Sequence, residues 1–544
     1  MDGPEGVSLL WPPGLLPGAV DPQPRLTAEQ AADLELETLV DALCLHASDH
    51  AWVSGLLGQL CSDPLVIGYR QGVLDSILDA PVIAARLESL LPRIDRLRQH
   101  HVPREKGELL HEVAWRLGEL EIFLECVREL AAILDVVPRD RLPEGLERLR
   151  AFLERLRAGE TIRHREEELP RLLKEVRGTR SLTLGVNVDK DLQPSSATLL
   201  SINAHSFDDR APSFLDRLFG VGQGQWSGIA PLHRAPSEQA NPMLLPLFRD
   251  LSEALTRTLR PVAAALQKFI GVHTRFLDEW GRELSFYLGA AKLATRLRAA
   301  GLPLCRPLVS EPGSAGCRVE GCYNIVLALK IAGQGREKEV RGLVVTNDLA
   351  FGPHEITILT GPNQGGKTTF MRSVGLAHVL AQAGLPVPGT AARLAAVDAI
   401  HTHFPRTERQ DIDSGRFADE MRRLSDIFEQ ATPASLILLN ESLTATSARE
   451  SLELAREVVS ALQVLGARAI YTTHLYELAA EAEVFNAGTA GPGRVASVVA
   501  DPEHRFRIEP GPPAGSSRAR DVAAHYGVGY ESLVKVLRER GIVP

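Results

Sequence analysis

One glycine-rich segment has the composition and spacing of a phosphate-binding loop. Residues 361–368 read Gly-Pro-Asn-Gln-Gly-Gly-Lys-Thr, which fits the pattern G-x-x-x-x-G-K-[ST]. Glycines let the backbone turn tightly and aim its N–H groups at phosphate, while the positive end of the following helix favours an anion. Lys367 is expected to contact the β and γ phosphates, and Thr368 to contact magnesium. The predicted nucleotide-binding residues are Gly361, Pro362, Asn363, Gln364, Gly365, Gly366, Lys367, Thr368 and Thr369.

A polar pair at the end of a second apolar run could supply the hydrolytic chemistry. Four apolar residues after Ser435 lead into Asn440 and Glu441. Glu441 is the candidate general base that orients the attacking water, and Asn440 is the candidate second magnesium residue beside Thr368. An amide adds no negative charge, so metal affinity and hydrolysis are both expected to be weakened. After the next strand, His474 is placed to sense the γ-phosphate.

The elements that must hold these residues form an alternating pattern. From Tyr323 onward, short β-branched or Leu-rich runs (355–360, 435–439, 467–472) alternate with helical stretches such as 368–383, which indicates a βαβ sheet domain. Upstream, a helix with a Thr27/Gln30 capping box is predicted to run on to Leu43. Further helical patterns cover 86–98, 109–134, 142–157 and 242–300, and we expect breaks at Pro81, Pro92, Pro103 and Pro138. A period of two predicts a strand pair at 181–188 and 196–203.

Composition excludes several classes of protein. The chain of 544 residues is 44% hydrophobic and 24% charged, with a net charge of −9. The hydrophobic and charged fractions are typical of globular proteins. The negative net charge argues against a protein that covers nucleic acid with a basic surface, so any site for a polyanion must be a local basic patch. Without an uninterrupted apolar run of about 18 residues, we expect no membrane span and a cytoplasmic location. The six cysteines are sparse, and ordinary thiols are favoured over a zinc site at Cys317 and Cys322.

Several motifs together resemble the ATPase end of the MutS family of DNA mismatch repair proteins. They are Asn347-Asp348, the segment 360–372, the segment 413–421, the segment 440–447 and Thr473-His474. The resemblance implies an ABC-type ATPase that uses ATP and Mg²⁺. It also implies a homodimer in which Ser414 and Gly415 of one subunit complete the nucleotide site of the other. At Val344 the family often has an aromatic residue that stacks on adenine, so preference for ATP over GTP stays open.

The resemblance extends into the helical half. Residues 33–43 and 69–74 are similar to the beginning of the family's helical core, and helices flanking 181–203 would be its levers and clamp. About 25 residues precede this core, so we expect no room for the family's mismatch-reading and connector domains. The family's Phe-x-Glu wedge is matched by Phe123 to Glu125 and Phe152 to Glu154, but both lie in helical runs, which argues against a wedge role.

The predicted fold class is multidomain: a long α-helical core, lever and clamp region with a small β insert, followed by an α/β P-loop ABC-type ATPase domain. Residues 1–25 are expected to be a flexible tail. Residues 26–310 would form the helical core and lever domain, with a clamp-like insert at about 100–250 and the strand pair at about 181–205. Residues 311–510 would form the ATPase domain and 511–544 a C-terminal helical segment.

Three functions stay open at this point. The first is an ATP-driven clamp on double-stranded, mismatched or branched DNA, selective for structure rather than for mismatches and able to work with a repair-pathway protein. The second is an ATP-gated switch with weak hydrolysis whose arms bind a protein or ribosomal partner, which the balanced charge of residues 86–180 favours. The third is a structural relative of these ATPases whose nucleotide site is inactive and whose P-loop serves only to hold the dimer together. A steep fall of DNA affinity with salt would favour the first.

Overall fold

The computed structural model describes most of the chain. The described residues are 7–15, 26–100, 109–138, 142–159, 181–188, 190, 194–203, 275–314, 316–405, 416–443, 446–488, 491–501, 505–513, 530–540 and 542. Ser414, Gly415, the predicted helical stretch before residue 275 and most of the expected clamp insert lie outside these ranges.

The helices and strands are numbered in chain order. The helices are α1 (Ala28–Asp33), α2 (Leu36–Leu43), α3 (His50–Gly58), α4 (Pro64–Asp79), α5 (Pro81–His100), α6 (Leu109–Leu134), α7 (Glu144–Ala158), α8 (Arg275–Ala299), α9 (Ile325–Gly333), α10 (Val340–Leu343), α11 (Lys367–Gln382), α12 (Arg416–Gln430), α13 (Ala448–Leu465), α14 (Tyr476–Ala480), α15 (Ala482–Gly488) and α16 (Tyr530–Glu539). The strands are β1 (Ser181–Val188), β2 (Pro194–Asn203), β3 (Leu304–Cys305), β4 (Leu308–Ser310), β5 (Cys317–Cys322), β6 (Asn347–Phe351), β7 (Glu355–Thr360), β8 (Val387–Pro388), β9 (Ala391–Ala395), β10 (Ile400–His403), β11 (Leu436–Asn440), β12 (Arg468–Thr472), β13 (Arg494–Ala500) and β14 (Ile508–Pro510).

The chain divides into two compact units that are discontinuous in sequence. The first contains residues 1–5, 85–139 and 148–281, and the second contains 6–84, 140–147 and 282–544. This division differs from the expected boundary near residue 310, because chain segments distant in sequence pack into the same unit. None of the described helices is both long and apolar enough to span a membrane.

The first unit combines helices with an isolated hairpin. β1 and β2 pair in antiparallel orientation, which confirms the predicted strand pair, although β2 begins two residues earlier than predicted. The helices enclose an aromatic cluster in which Phe276 contacts Phe123, Phe152 and Trp280 at centroid distances of 5.9, 5.2 and 4.8 Å. Phe123 and Phe152 therefore contribute to the helical packing.

The second unit is built around a six-stranded sheet of order β10-β11-β12-β7-β13-β14. Its first five strands are parallel, and β14 runs antiparallel to β13. All residues of β11 and β12 are buried, as expected for strands covered on both faces. One covered face includes Ile358, Leu439 and Tyr471 with Val459 and Leu462 of α13. A four-stranded sheet of order β4-β9-β5-β6 lies in the same unit.

The helical predictions in the first hundred residues need two corrections. The capping box at Thr27 is present, but the predicted helix to Leu43 is broken between α1 and α2. Glu35 has φ = 55°, and its carboxylate binds Lys330 and, at 2.7 Å, Arg372 Nη1. These ion pairs hold a left-handed residue where periodicity alone predicts a continuous helix. The predicted break at Pro92 is also wrong, because α5 continues through it and packing overrides the lost hydrogen bond.

The expectation of a flexible tail does not hold for residues 7–15. Leu9 is fully buried, its backbone N–H donates to Glu283 Oε2 at 2.7 Å, and its carbonyl accepts from Tyr287 Oη at 2.8 Å. The Arg70 guanidinium lies 4.6 Å from the centre of the Trp11 ring. The sequence signal of prolines and glycines missed this packing because its partners, Arg70, Glu283 and Tyr287, are distant in sequence.

Candidate nucleotide-binding site

The candidate site lies where parallel strands end at the same edge of the sheet. β7 leads into the loop 361–366 and then into α11, while β11 ends at Asn440 and β12 at Thr472. Asn440 is aligned with Thr472, and Thr472 with Leu359 of β7. This register brings the phosphate-loop candidates and the Asn440–Glu441 pair to one edge, the usual ligand-binding edge of an open parallel sheet.

The loop 361–366 needs glycine at its first position. Gly361 has φ = 145°, and a Cβ there would lie 2.6 Å from the Cβ of Ala500. Gly366 has φ = 85° and precedes α11 as its N-cap. Gln364 is left-handed without being glycine, with φ = 63°. The loop thus holds three unusual backbone conformations close to a helix N-terminus, the arrangement that turns backbone N–H groups toward an anion.

Lys367 is the cation of the site. Its side chain is 4% exposed, and Nζ donates hydrogen bonds of 3.0 Å to the carbonyls of Gly361 and Pro362. Nζ also lies 3.8 Å from Glu441 Oε1. Burial lowers the pKa of Lys367, and the Glu441 carboxylate opposes that shift. The ammonium therefore lies beside both the loop and the candidate base.

Asn440 is tied to two hydroxyl groups. Its Oδ1 accepts hydrogen bonds from Thr368 Oγ1 at 3.1 Å and from Thr472 Oγ1 at 2.8 Å. The two candidate metal residues, Thr368 and Asn440, are therefore in direct contact, and both offer neutral oxygen. Oxygen donors suit Mg²⁺, so the set fits this ion, although a carboxylate in place of Asn440 would add a negative charge.

Glu441 and His474 form a second pair at the edge. His474 Nε2 and Glu441 Oε1 are 3.0 Å apart and share a hydrogen bond. This bond is the largest cause that lowers the pKa of Glu441, and burial of the carboxyl opposes it. Because Glu441 is half-buried and ionised at neutral pH, it can accept a proton or orient a water molecule.

A cavity of about 460 Å³ opens from these residues. It is lined by the loop residues and their neighbours Gln364, Gly365, Gly366, Lys367, Thr368, Thr369 and Glu441. It is also lined by apolar side chains that include Leu327, Ile331, Val344 and Phe506. Its size and its combination of polar and apolar lining suit a ligand with a charged and a flat apolar part.

Phe506 is a cavity residue that the sequence pattern did not reveal. It has φ = 57°, and its carbonyl accepts a hydrogen bond of 3.1 Å from Asn347 Nδ2. Asn347 Oδ1 in turn accepts from the N–H of Ile508 at 2.8 Å. The Asn347-Asp348 motif was singled out in the sequence, but its link to the loop between β13 and β14 joins residues about 160 positions apart.

The structure brings together most of the predicted site residues, by different routes. Gly361 and Pro362 face Lys367 through their carbonyls, Asn440 contacts Thr368, and His474 reaches the site through Glu441. Ser414 and Gly415 lie outside the described residues.

The two cysteines considered as zinc ligands are buried on β5. Burial raises the pKa of the Cys317 thiol to about 12 and raises that of Cys322 further, so both thiols stay protonated at neutral pH. Among the described residues, the side chains close enough to share a metal ion are Glu37, Asp41 and His50.

Comparison with known proteins gives two family matches and a group of relatives. Residues 357–505 match the family model of MutS domain V, and residues 62–300 match that of the MutS2 N-terminal domain. The chain is 32% identical over 289 residues to an endonuclease MutS2 of Thermomicrobium roseum, covering 52% of this chain and 35% of that protein. It is 35% identical over 174 residues to a DNA mismatch repair protein MutS 2 of Halobacterium salinarum, covering 31% and 19%. It is 36% identical over 179 residues to a DNA mismatch repair protein MutS of Symbiobacterium thermophilum, covering 32% and 19%. In these three alignments the matched part is at most 35% of the relative's length.

Proposed function

Because the chain belongs to the MutS family, we propose that it is an ABC-type ATPase that binds DNA and uses ATP to open and close around it. The observation that carries the proposal is the edge of the sheet, where the phosphate loop, Lys367 and Glu441 line one cavity and Asn440 contacts Thr368 of its lining. DNA as the ligand is supported by the relatives whose names describe DNA mismatch repair proteins.

ATP would bind with its phosphates on the loop and its base against the apolar side chains of the cavity. Lys367 would exchange its bonds to the carbonyls of Gly361 and Pro362 for the β and γ phosphates, which are stronger acceptors. Asn363 and Thr369 belong to the same proposed phosphate segment. Val344 and Phe506 would contact the base. Neither side chain can form a hydrogen bond, so neither would distinguish adenine from guanine in that way.

Hydrolysis would rest on Glu441. Its ionised carboxylate orients the attacking water, and His474 holds that carboxylate in place and senses the γ-phosphate. Thr368 and Asn440 would hold Mg²⁺, which would neutralise negative charge on the phosphates when bound. Because Asn440 is neutral, we expect weaker binding of Mg²⁺ and slow turnover.

DNA binding would select structure rather than a mismatch. Phe123 is buried and Phe152 packs against Phe276, so neither is presented as a wedge for a base step. The preferred DNA would have a particular shape, such as a junction or a branched end. The contacts would be mostly to phosphate, so binding would weaken as the salt concentration rises. A homodimer, with Ser414 and Gly415 of each subunit completing the site of the other, would link ATP binding to closure around DNA. A cytoplasmic location and a repair-pathway partner are part of the same proposal.

A second candidate function is an ATP-gated switch that binds a protein or ribosomal partner. It is favoured by ion pairs in the first unit, where Arg93 binds Glu129 at 2.6 Å, and Arg150 binds Asp135 at 3.0 Å. Arginines engaged in this way are less available to phosphate. The two functions differ in salt dependence, because binding of DNA phosphates weakens steeply with salt.

Equilibrium binding tests the proposal in two steps. A fluorescent ATP analogue should bind the full chain, and Lys367→Ala should weaken binding at least about tenfold, as expected for a lost charge-assisted contact. Lys535→Ala is the matched control because Lys535 is exposed on α16 and does not line the cavity. Affinity for a four-way junction should fall steeply between low and physiological salt, whereas salt-insensitive or undetectable DNA binding would favour the second candidate.

A further inference from the structure

The turn that carries Glu441 has an unfavourable backbone conformation on both sides of Ser442. Glu441 has φ = 48° and Leu443 has φ = 67°, and neither is glycine. Side chains with a Cβ rarely adopt this region, and such residues persist where the surrounding structure holds them. The direction of the Glu441 carboxylate therefore depends on the contacts that anchor this turn.

Glu441 itself is anchored by its backbone N–H, which donates to the Thr472 carbonyl at 2.9 Å, and the two residues after it are anchored by side chains of neighbouring elements. His403, the last residue of β10, shares a hydrogen bond of 2.7 Å between Nδ1 and Ser442 Oγ. Tyr471 Oη donates to the Ser442 carbonyl at 3.3 Å, and Ser451 Oγ donates to the Leu443 carbonyl at 2.6 Å. Of these anchors, the His403 bond is the shortest contact to the residue that directly follows Glu441.

His403 is itself firmly placed. It is 1% exposed and is aligned with Leu439 of β11. The carbonyl of the next residue, Phe404, accepts from Arg423 Nη1 at 3.1 Å, and the Arg372 guanidinium lies 5.6 Å from the centre of the Phe404 ring. Burial lowers the pKa of His403 to about 4, so a neutral imidazole makes the bond to the serine hydroxyl at neutral pH.

We propose that His403 is a positioning residue for hydrolysis: its bond to Ser442 holds the strained turn, and the turn holds Glu441 beside His474 and Lys367. His403 does not line the nucleotide cavity, so its removal should leave ATP binding intact while slowing the step in which Glu441 orients water. The hydrolytic part of this inference rests on the proposed ATPase function.

A double-mutant cycle on the full chain tests the link. His403→Leu and Ser442→Ala should each lower kcat about tenfold with KM changed less than about twofold, the pattern of an interaction that matters in the transition state. The double variant should be no slower than either single variant, because both remove the same bond. His403→Asn, whose amide stands near the position of Nδ1, should recover most of the rate, whereas His403→Gln should not.

His401→Leu is the matched control, since His401 is another buried histidine of β10 and should leave kcat unchanged if only the Ser442 contact matters. Equal loss in His401→Leu, additive losses in the double variant, or a rise in KM with kcat intact would each overturn the positioning role.

Crystal structures separate this inference from the ATPase proposal. In nucleotide-free Ser442→Ala, Glu441 should leave the left-handed region, and its carboxylate should move away from His474. An unchanged turn in that variant would overturn the inference even if the wild type hydrolyses ATP. A changed turn would support it even if the wild type binds ATP without turnover, a result that counts against the ATPase proposal alone.

Discussion

Replacing Asn440 by aspartate should strengthen the binding of Mg²⁺ at the site. Asn440 is 6% exposed, and its Oδ1 accepts from the hydroxyls of Thr368 and Thr472 at 3.1 and 2.8 Å. A carboxylate has nearly the same shape and accepts both bonds, so Asn440→Asp should fold. The change adds one negative charge at the position where an ion held by Thr368 would lie.

The size of the effect follows from charge and burial. At an effective dielectric constant of about 20, unit charges about 4 Å apart interact by about 4 kcal/mol. Bringing a carboxylate into a buried position costs part of this gain, and the carboxylate of Glu441 nearby adds repulsion when the ion is absent. We therefore expect a net gain of roughly 1–3 kcal/mol for Mg²⁺ binding, or about 5- to 150-fold in the half-saturating concentration.

A magnesium titration of ATP turnover and of ATP-analogue binding measures this change. Asn440→Asp should shift the half-saturating Mg²⁺ concentration downward and raise turnover. Gln334→Glu is the control, because Gln334 is exposed at the end of α9, does not line the cavity, and the change adds the same charge. Half-saturation within about twofold of wild type in Asn440→Asp, or an equal shift in Gln334→Glu, would refute a magnesium role for residue 440.

Three further predictions concern other contacts. Gly361→Ala should weaken ATP-analogue binding by more than about tenfold, because φ is 145° and the new Cβ would lie 2.6 Å from a side-chain carbon, whereas Gly333→Ala, with open space, should not. His474→Ala should raise the pKa of Glu441, so the acidic limb of the pH–rate profile should move to higher pH; an unmoved limb contradicts this. Because the pKa of Glu441 is lower in the folded than in the unfolded protein, ionised Glu441 contributes to folding stability at pH values above its unfolded pKa. This contribution is lost as the pH falls through its folded pKa. Leu9→Ala should cost about 2–5 kcal/mol of unfolding free energy in denaturant titrations, and an unchanged midpoint would mean that residues 7–15 do not pack in solution.

Features set by local pattern could be predicted from the sequence. α6 ends at the predicted residue Leu134, and β7 covers the predicted run Glu355–Thr360. Strands and helices of this kind follow from the period of apolar residues. The gathering of the candidate residues at one sheet edge also follows, because a parallel sheet aligns the ends of its strands.

Features set by contacts distant in sequence could not be predicted. The left-handed break at Glu35 depends on Lys330 and Arg372, the burial of Leu9 depends on Glu283, and Phe506 reaches the cavity through Asn347. Each partner lies more than 150 positions away along the chain. A local pattern contains no information on such pairs. Periodicity therefore predicted a continuous helix through Glu35, and the prolines and glycines predicted a flexible tail at Leu9.

Steady-state ATP hydrolysis with magnesium tests the central claim most directly. The assay compares the full chain alone and with homoduplex, mismatched and four-way-junction DNA, with Lys367→Ala and Glu441→Gln as blanks. Turnover that is slow alone, rises with DNA and is lost in both variants is the predicted result. Tight ATP binding without turnover under any of the DNA conditions would contradict a DNA-stimulated ATPase and favour a switch with a protein or ribosomal partner.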